Sequence, residues 1–282
     1  MQFFQETWDG ILARYGTNPY IYRVIFVYIF SAILYFGYAG LFSIMDVTLS
    51  PKALRKYKTQ VGANEPLDMA KCKRMIKVVL FNMLVVGFVA GHASYAVGLW
   101  WNGRESEESL RKLPSLFTIL WQFPLLLVIR EFPFYYSHAL LHHRLFYKRF
   151  HKMHHEWTAP VALAATYAHP AEHVVSNLLP AAVGPLLLRC HVTTVWLWYS
   201  YVLVYTLTVH SGYHLPWLLS SEFHDYHHLR FDQNYGTQLM VFDRLHGTDA
   251  RFRAPSGAGR RHRVLWGAES ARELFPDDEK SE

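Results

Sequence analysis

Long apolar runs constrain this chain more than any other feature, because lipid admits only segments whose backbone polar groups are paired internally. Tyr20–Met45 and Val78–Trp101 are each long enough to cross the hydrocarbon core of a bilayer as a helix. Leu116–Ile129 is shorter, but it continues without a break into a histidine-containing helical segment. We therefore expect three membrane-spanning helices in the first half of the chain.

Two further apolar runs follow, Val174–Leu188 and Val192–Val209, and only Arg189, Cys190 and His191 separate them. Pro180 and Pro185 lie within the first run, and proline bends or breaks a helix. The pattern predicts an antiparallel hairpin whose first arm is kinked. The fold class that follows is all-α integral membrane, with a stem of about four to five spans.

Loop charges predict the orientation of the stem, because loops rich in lysine and arginine stay in the cytosol. The loop around Arg104 to Lys112 balances its charges and is expected on the lumenal side. The third span then returns the chain to the cytosol after Arg130, and the hairpin brings residues after His210 to the same side. The loop between the first two spans is the basic one, containing Lys52, Arg55, Lys56, Lys58, Lys71, Lys73, Arg74 and Lys77.

The chain of 282 residues divides into an N-terminal membrane region with two spans (1–115), a catalytic domain (116–250) and a cytosolic C-terminal tail (251–282). No basic run is interleaved with aromatic residues, so we expect no nucleic acid partner. The two cysteines, Cys72 and Cys190, lie in or beside apolar stretches, which excludes a secreted disulfide framework.

The histidines carry the chemistry. There are seventeen, most of them between His138 and His228, and their spacing is regular: a pair four residues apart precedes an HxxHH sequence, and the same order is repeated further along. On a helix, positions i, i+3 and i+4 share about one face. Ten ring nitrogens are too many for one metal ion and suit two. The ten are His138, His142, His151, His154, His155, His210, His214, His224, His227 and His228.

Imidazole binds zinc, copper, iron and nickel alike, so the histidines alone do not select the metal. His155 and Glu156 begin an HExxH protease motif, but Ala159 stands where its second histidine should be. Residues 169–173 do satisfy the inverted motif HxxEH, although Pro170 disfavours a helix through its centre. A haem would use only two axial ligands. A zinc-dependent membrane hydrolase stays an alternative, and iron with O2 fits a lipid C–H bond better.

The motifs resemble the fatty acid hydroxylase superfamily, in particular its sterol desaturase and C4-methyl sterol oxidase group. The stretches that carry the resemblance are EFPFYYSHALLHH, FHKMHHEWTAP, YAHPAEH, HSGYHLPW, EFHDYHHLRFDQNYG and FDRLHGTD. They cover the chain from about Glu131 to Asp249, whereas the first 110 residues share only apolar character. One position departs from the family pattern, since Ala139 stands where an arginine is common.

The resemblance implies that the ten histidines are the ligands of two non-haem iron ions. It also implies nearby residues that serve as extra ligands or orient a ligand ring, and the candidates are His143, His169, His173 and Asp225, with Glu156 and Glu172 as further acceptors for a ring N–H. How the ligands divide between the two metals is open.

The resemblance further implies a multi-pass protein of the endoplasmic reticulum membrane, with its histidine clusters in a cytosolic helical cap. Electrons would come from NAD(P)H through cytochrome b5 and its reductase, and O2 would be the oxidant. C4-methyl oxidation of a sterol is the favoured reaction. Hydroxylation of a fatty acid, a sphingolipid or the cholesterol side chain is the nearest alternative, and a non-catalytic sterol-binding regulator is another.

Overall fold

The protein is helical throughout the part of the chain that a computed structural model describes, residues 2–255 and 259–262. Most of the tail predicted at 251–282 lies outside these residues. Within them there is no β-strand, only one backbone bridge between Lys58 and Tyr213. The helices are α1 (Gln2–Tyr15), α2 (Ile21–Thr48), α3 (Met69–Asn102), α4 (Glu107–Arg111), α5 (Leu116–Leu141), α6 (170–187), α7 (Val192–Val209), α8 (Glu222–Arg230), α9 (Val241–His246), α10 (Ala250–Arg253) and α11 (Gly259–His262). Single helical turns lie at Lys52–Tyr57, Tyr147–His151, His154–Glu156 and Ala162–Thr166.

Four of these helices, α2, α3, α5 and α7, are long and apolar enough to cross a membrane. The prediction of an all-α protein with a multi-pass membrane stem is confirmed. Helix α3 has 34 residues, which at roughly 1.5 Å per residue makes it longer than the hydrocarbon core of about 30 Å. Its first turns are polar. Asp68 precedes the helix and caps it, because its carboxylate accepts hydrogen bonds from the backbone N–H groups of Ala70 and Lys71. The polar start of α3 thus extends beyond the apolar layer.

Helix α6 is less apolar than these four, but it runs from beside His151 to the last residue of α3. At its beginning, Glu172 lies beside His151, and near its end the carbonyl of Leu186 accepts a hydrogen bond from Asn102. The predicted hairpin is therefore present, with α6 as its first arm and α7 as its second. Gly184 allows α6 to lie close against α5, since a Cβ at this position would come within 2.7 Å of Leu126 Cδ2.

The helical bundle has two ends, which we define by the residues found there. The histidine end contains His138 at the close of α5 and His210 just after α7; the opposite end contains Arg23, Asn102 and Cys190. The loop between α2 and α3 lies at the histidine end, because the backbone N–H of Thr59 donates to the carbonyl of Gly212. The basic loop and the histidines are thus on one side of the stem, as the charge pattern predicts.

The largest buried cluster joins the membrane helices to the histidine-bearing loops. Tyr35 on α2 is buried and donates its hydroxyl to the carbonyl of Leu163, while Asn82 on α3 donates to the carbonyls of Thr166 and Ala168. Burying a polar backbone without such partners would cost several kcal/mol per group. The loop after the first HxxHH sequence is therefore held against α2 and α3, which makes the stem a support for the site.

Candidate metal centre

Nine histidine rings converge at the histidine end, although they come from separate parts of the chain. Helix α8 places three of them on regular helical turns, as the i, i+3, i+4 spacing predicts. The first HxxHH sequence instead lies on a wide turn that ends at His151 and a tight turn over His154–Glu156. His138 is on α5, and His142 and His210 cap the C-terminal ends of α5 and α7. The chain therefore reaches the same point from both halves of the sequence.

The rings form two groups in which the ligand nitrogens all lie within 4.8 Å of one another. Each HxxHH sequence is divided between the groups. Its first and last histidines enter one group, and the middle one enters the other, so that the two groups adjoin. The five-histidine group consists of His138, His142, His151, His155 and His227, and the four-histidine group of His154, His210, His224 and His228.

The Nε2 atoms point inward in both groups. In the five-histidine group, Nε2 of His142 lies 2.8 Å from that of His151 and 3.2 Å from that of His227. In the four-histidine group, Nε2 of His210 lies 2.9 Å from that of His224 and 3.4 Å from that of His154. Each group therefore surrounds a single point with its Nε2 atoms.

Backbone carbonyls fix which ring nitrogen carries the proton. A carbonyl can only accept, so an Nδ1 that faces one must donate its N–H, which leaves the Nε2 lone pair free for a metal. Five rings are held in this way, and their Nδ1-to-carbonyl distances are 2.7 Å for His138 to Tyr235, 2.7 Å for His227 to Gln233, 3.0 Å for His228 to Trp157, 2.8 Å for His210 to Thr206 and 3.3 Å for His154 to Tyr167.

The donor set fits metal ions. His154 and His210 both use Nδ1 as the donor, so neither Nε2 carries a proton and the two facing lone pairs cannot hydrogen-bond to each other. Such an arrangement is repulsive unless a cation lies between the nitrogens. Burial lowers the pKa of His154 to about 4 and that of His210 to about 3, which keeps both rings neutral at pH 7. Neutral imidazole is the form that binds a metal.

One carboxylate lies directly behind a ring of the five-histidine group. Oε1 of Glu172 lies 2.8 Å from Nδ1 of His151, and both side chains are almost fully buried. A carboxylate behind a ligand histidine fixes its tautomer and makes its other nitrogen more basic. Glu156, the other glutamate considered, instead accepts hydrogen bonds from Arg74 and Tyr167 at the surface.

His214, the tenth predicted ligand, belongs to neither group. Its Nδ1 lies 2.9 Å from Oγ of Ser220, and its backbone N–H donates to the carbonyl of Tyr57. Gly212, between His210 and His214, has φ of 72°, and a Cβ there would come within 2.8 Å of the carbonyl of Pro160. The chain turns sharply at this glycine, which carries His214 away from the ring of His210.

The four additional candidates also lie outside both groups. His143 is exposed, and its Nδ1 accepts from the backbone N–H of Leu145. His169 caps the start of α6, where Nδ1 accepts from Ala171. His173 and Asp225 are buried but have other partners, Asn177 for the first and Thr59 and Gln60 for the second. The HxxEH sequence at 169–173 thus gathers no metal-binding cluster among the described residues.

Sequence reasoning missed the loop that supplies two of the supporting carbonyls. Asp243 on α9 accepts hydrogen bonds from the backbone N–H groups of Tyr235 and Gly236, at 2.8 and 2.7 Å. This bond pattern holds the Tyr235 carbonyl against His138. The FDRLHGTD stretch that contains Asp243 is recognisable in the sequence, but carbonyl groups leave no signal of their own.

Comparison with known proteins agrees with this architecture. The family model for fatty acid hydroxylase matches residues 123–248. Fatty acid hydroxylase domain-containing protein 2 is 42% identical in Macaca fascicularis and 41% identical in Homo sapiens, in both cases over 99% of this chain and 82% of the relative. Methylsterol monooxygenase 2-2 of Arabidopsis thaliana is 34% identical over 71% of this chain and 76% of the relative. No solved structure matches the chain. These relatives are similar over nearly the whole of this chain, and the histidines of the matched region lie together at one site. The chain therefore belongs to the fatty acid hydroxylase family.

Proposed function

We propose that this protein is a membrane-bound, non-haem di-iron oxygenase that oxidises a lipid, and that its favoured reaction is oxidation of the C4-methyl group of a sterol. The observation that carries the proposal is the pair of adjoining groups of buried Nε2 atoms at the end of a membrane stem. Neutral imidazole is a good iron ligand, and two adjacent sites of this kind suit the two metals of an oxygenase.

The ligands in this proposal are nine of the ten histidines named from the sequence, five for one iron and four for the other. His214 is left out because its ring lies at Ser220. Two irons held by these residues would supply O2 activation, the chemistry that inserts one oxygen atom into a C–H bond and releases the other as water when two electrons and two protons are provided. The protein keeps the rings neutral and buried and fixes their orientation through the carbonyls and Glu172.

Sterol oxidation is favoured because methylsterol monooxygenases are among the relatives. An apolar cavity of about 180 Å³ also lies within the stem, with Arg130, His173 and Thr206 in its wall. The fatty acid hydroxylase ahd1 of Mycosarcoma maydis, 36% identical over 76% of this chain, keeps an acyl chain as the second candidate substrate. Both substrates would enter the cavity from the bilayer, where apolar molecules are concentrated.

The proposed setting is the endoplasmic reticulum membrane, with the histidine end in the cytosol. The basic loop at that end supports the orientation. Lys148, Arg149 and Lys152 are exposed next to His151 and would attract an acidic electron carrier. We propose cytochrome b5, reduced by its NAD(P)H-dependent reductase, as that carrier.

The proposal predicts that turnover requires iron, O2 and a sterol. Purified protein supplied with cytochrome b5, its reductase and a 4,4-dimethyl sterol should contain about two iron ions per chain and form an oxidised product, identified by mass spectrometry. Chelation should abolish the product, and iron should restore it. A parallel panel of fatty acids and sphingolipids identifies the substrate class. Product formation without O2 would establish a hydrolase instead, and iron-loaded protein that acts on no lipid in the panel would support a regulator.

Glu172→Gln tests the supporting role of the carboxylate. The amide keeps the size of the side chain but loses the charge behind His151, so we expect metal affinity to fall about 10- to 100-fold. Glu156→Gln is the matched control, because Glu156 contacts no ligand ring among the described residues, and its metal affinity should be unchanged. Titration with a competing chelator measures both. Equal effects of the two variants would contradict the assignment of Glu172.

A further inference from the structure

Arg130 is the most unusual side chain of the membrane stem. It lies in the middle of α5, only 4% exposed, and its Nε and Nη1 have no hydrogen-bond partner among the described residues. The aromatic rings of Phe134 and Tyr205 flank the guanidinium, which lies 5.4 and 5.6 Å from their centroids. A buried guanidinium cannot lose its charge and has five N–H groups to satisfy. Its donors therefore require an acceptor that the neighbouring protein groups do not supply.

Arg23, another arginine of the stem, shows how the N–H groups of such a guanidinium are usually paired. Its guanidinium donates to both carboxylate oxygens of Glu105 and to the carbonyl of Cys190. Glu131 interacts with Arg130 through its charge, but no hydrogen bond joins the two side chains, since Oε2 accepts from the hydroxyl of Thr237 and Oε1 has no hydrogen-bond partner among the described residues. A buried charge without a partner costs free energy. A protein therefore retains a buried guanidinium of this kind where a ligand supplies the missing hydrogen-bond acceptors.

Arg130 lies in the wall of two cavities. One is the apolar cavity of about 180 Å³, and the other is a space of about 30 Å³ that His138, His151 and His154 also line. On its other side, the apolar cavity shares Arg23 and Tyr199 with a third cavity of about 410 Å³. The three spaces form a row from the histidines to the opposite end of the stem. The two larger ones together fall within the range of roughly 300–1,000 Å³ that is usual for ligand sites.

His173 contributes a second donor to the apolar cavity. Its Nδ1 lies 3.2 Å from the amide nitrogen of Asn177, and because that NH2 donates, Nδ1 accepts and Nε2 carries the ring proton. Nε2 is buried and has no hydrogen-bond partner among the described residues. Arg130 and His173 thus offer only N–H donors to the same space, and the ligand atom that satisfies them is an oxygen acceptor.

We propose that Arg130 and His173 bind the oxygen-bearing end of the lipid substrate and so determine which carbon faces the metal centre. The inference rests on the proposed oxygenase function. In a 4-methyl sterol the hydroxyl is on carbon 3, next to the carbon whose methyl group is oxidised; in a fatty acid the carboxylate occupies the corresponding place beside carbon 2. The apolar remainder of the substrate extends along the row of cavities toward Arg23. Arg130 and His173 are positioning residues in this scheme.

Equilibrium binding without reductant tests the inference separately from turnover. Two pairs of probes are used: a 4,4-dimethyl sterol with its 3-deoxy analogue, and hexadecanoic acid with hexadecane. Wild-type protein should bind the oxygenated member of one pair about 10- to 100-fold more tightly, the range expected for hydrogen bonds to a charged donor. Arg130→Met should reduce this ratio to about 1–3, and His173→Phe should reduce it by a smaller factor.

Stability provides a second measurement. Since Nε and Nη1 of Arg130 have no hydrogen-bond partner among the described residues, Arg130→Met should leave the melting temperature unchanged or raise it. Arg55→Met is the matched control. Arg55 lines none of the three cavities and pairs with the buried carboxylate of Glu65, so its replacement should lower the melting temperature while the binding ratio stays the same.

We call the binding of the substrate oxygen by Arg130 and His173 the anchor. The outcomes test the anchor separately from the identity of the substrate. Loss of the ratio in Arg130→Met for the sterol pair supports both the anchor and the sterol reaction. Loss for the acyl pair alone supports the anchor and overturns the sterol substrate. If the wild type discriminates in neither pair, or if Arg130→Met retains the wild-type ratio, the anchor is overturned, whatever oxygenase activity the protein has.

Discussion

Replacing His154 or His155 by alanine is expected to remove one of two metal ions and to lower turnover at least about 100-fold. The two residues are neighbours in sequence, but they lie in different groups. His154→Ala should empty the four-histidine site and His155→Ala the five-histidine site, since loss of a ligand exceeds the 10- to 100-fold effect typical of the groups behind a ligand. Metal analysis should find about one ion per chain in each variant, and spectroscopy should find a different ion remaining.

His143→Ala and His214→Ala give this experiment its controls. His143 adjoins His142 in sequence but is exposed, so its replacement should preserve both ions and the activity. His214 is buried beside Ser220, and its replacement should also preserve both ions. If His214→Ala lost an ion while the melting temperature stayed close to that of the wild type, a tenth ligand would have to be added to the four-histidine site.

Asp46→Ala is expected to have the largest effect on stability. Asp46, near the end of α2, is fully buried, and its Oδ1 lies 2.6 Å from Nζ of Lys58, which is itself 4% exposed. The hydroxyl of Tyr213 donates to the same carboxylate. Removing one partner leaves the other charge buried without compensation, at a cost of about 3–5 kcal/mol. The variant should melt on the order of 10 °C lower.

A double-mutant cycle separates the effect of breaking the Asp46–Lys58 ion pair from the effect of losing side-chain packing. Asp46→Leu with Lys58→Met removes both charges, and it should be clearly more stable than either single variant. Glu107→Ala is the matched control, because Glu107 and Arg111 form an exposed pair on α4 that should contribute about 0.5 kcal/mol or less. Single variants as stable as this control would contradict a structural role for the buried pair. Thermal unfolding in detergent measures all of them.

The buried pair also connects stability to the site. Lys58 and Thr59 lie against the turn at Gly212 and Tyr213, which directly follows His210. An effect of Asp46→Ala on the four-histidine group is therefore expected at temperatures well below global unfolding. The loop between α2 and α3 lies outside the residues matched by the family model, but it supports the four-histidine group.

Apolar length and histidine spacing were sufficient to predict the helical membrane stem and the convergence of the histidines. A run of 20 apolar residues has few alternatives to a spanning helix, and histidines spaced i, i+3 and i+4 can share one face of a helix. The apolarity of α6 was harder to interpret, because Glu172, Asn177 and its prolines reduce it. Only its packing between His151 and Asn102 makes its course clear.

Tertiary structure alone decided how nine of the histidines divide between two groups. Spacing along the chain puts His154 and His155 side by side, yet tight turns direct their rings to different groups, and the turn at Gly212 removes His214 from both. The carbonyl partners of the rings were equally hidden, as were the donors of Arg130 and His173 that have no hydrogen-bond partner among the described residues, because both depend on which distant segments meet. Local sequence determines the period of a helix and the identity of a donor, whereas the direction of each ring depends on long-range packing.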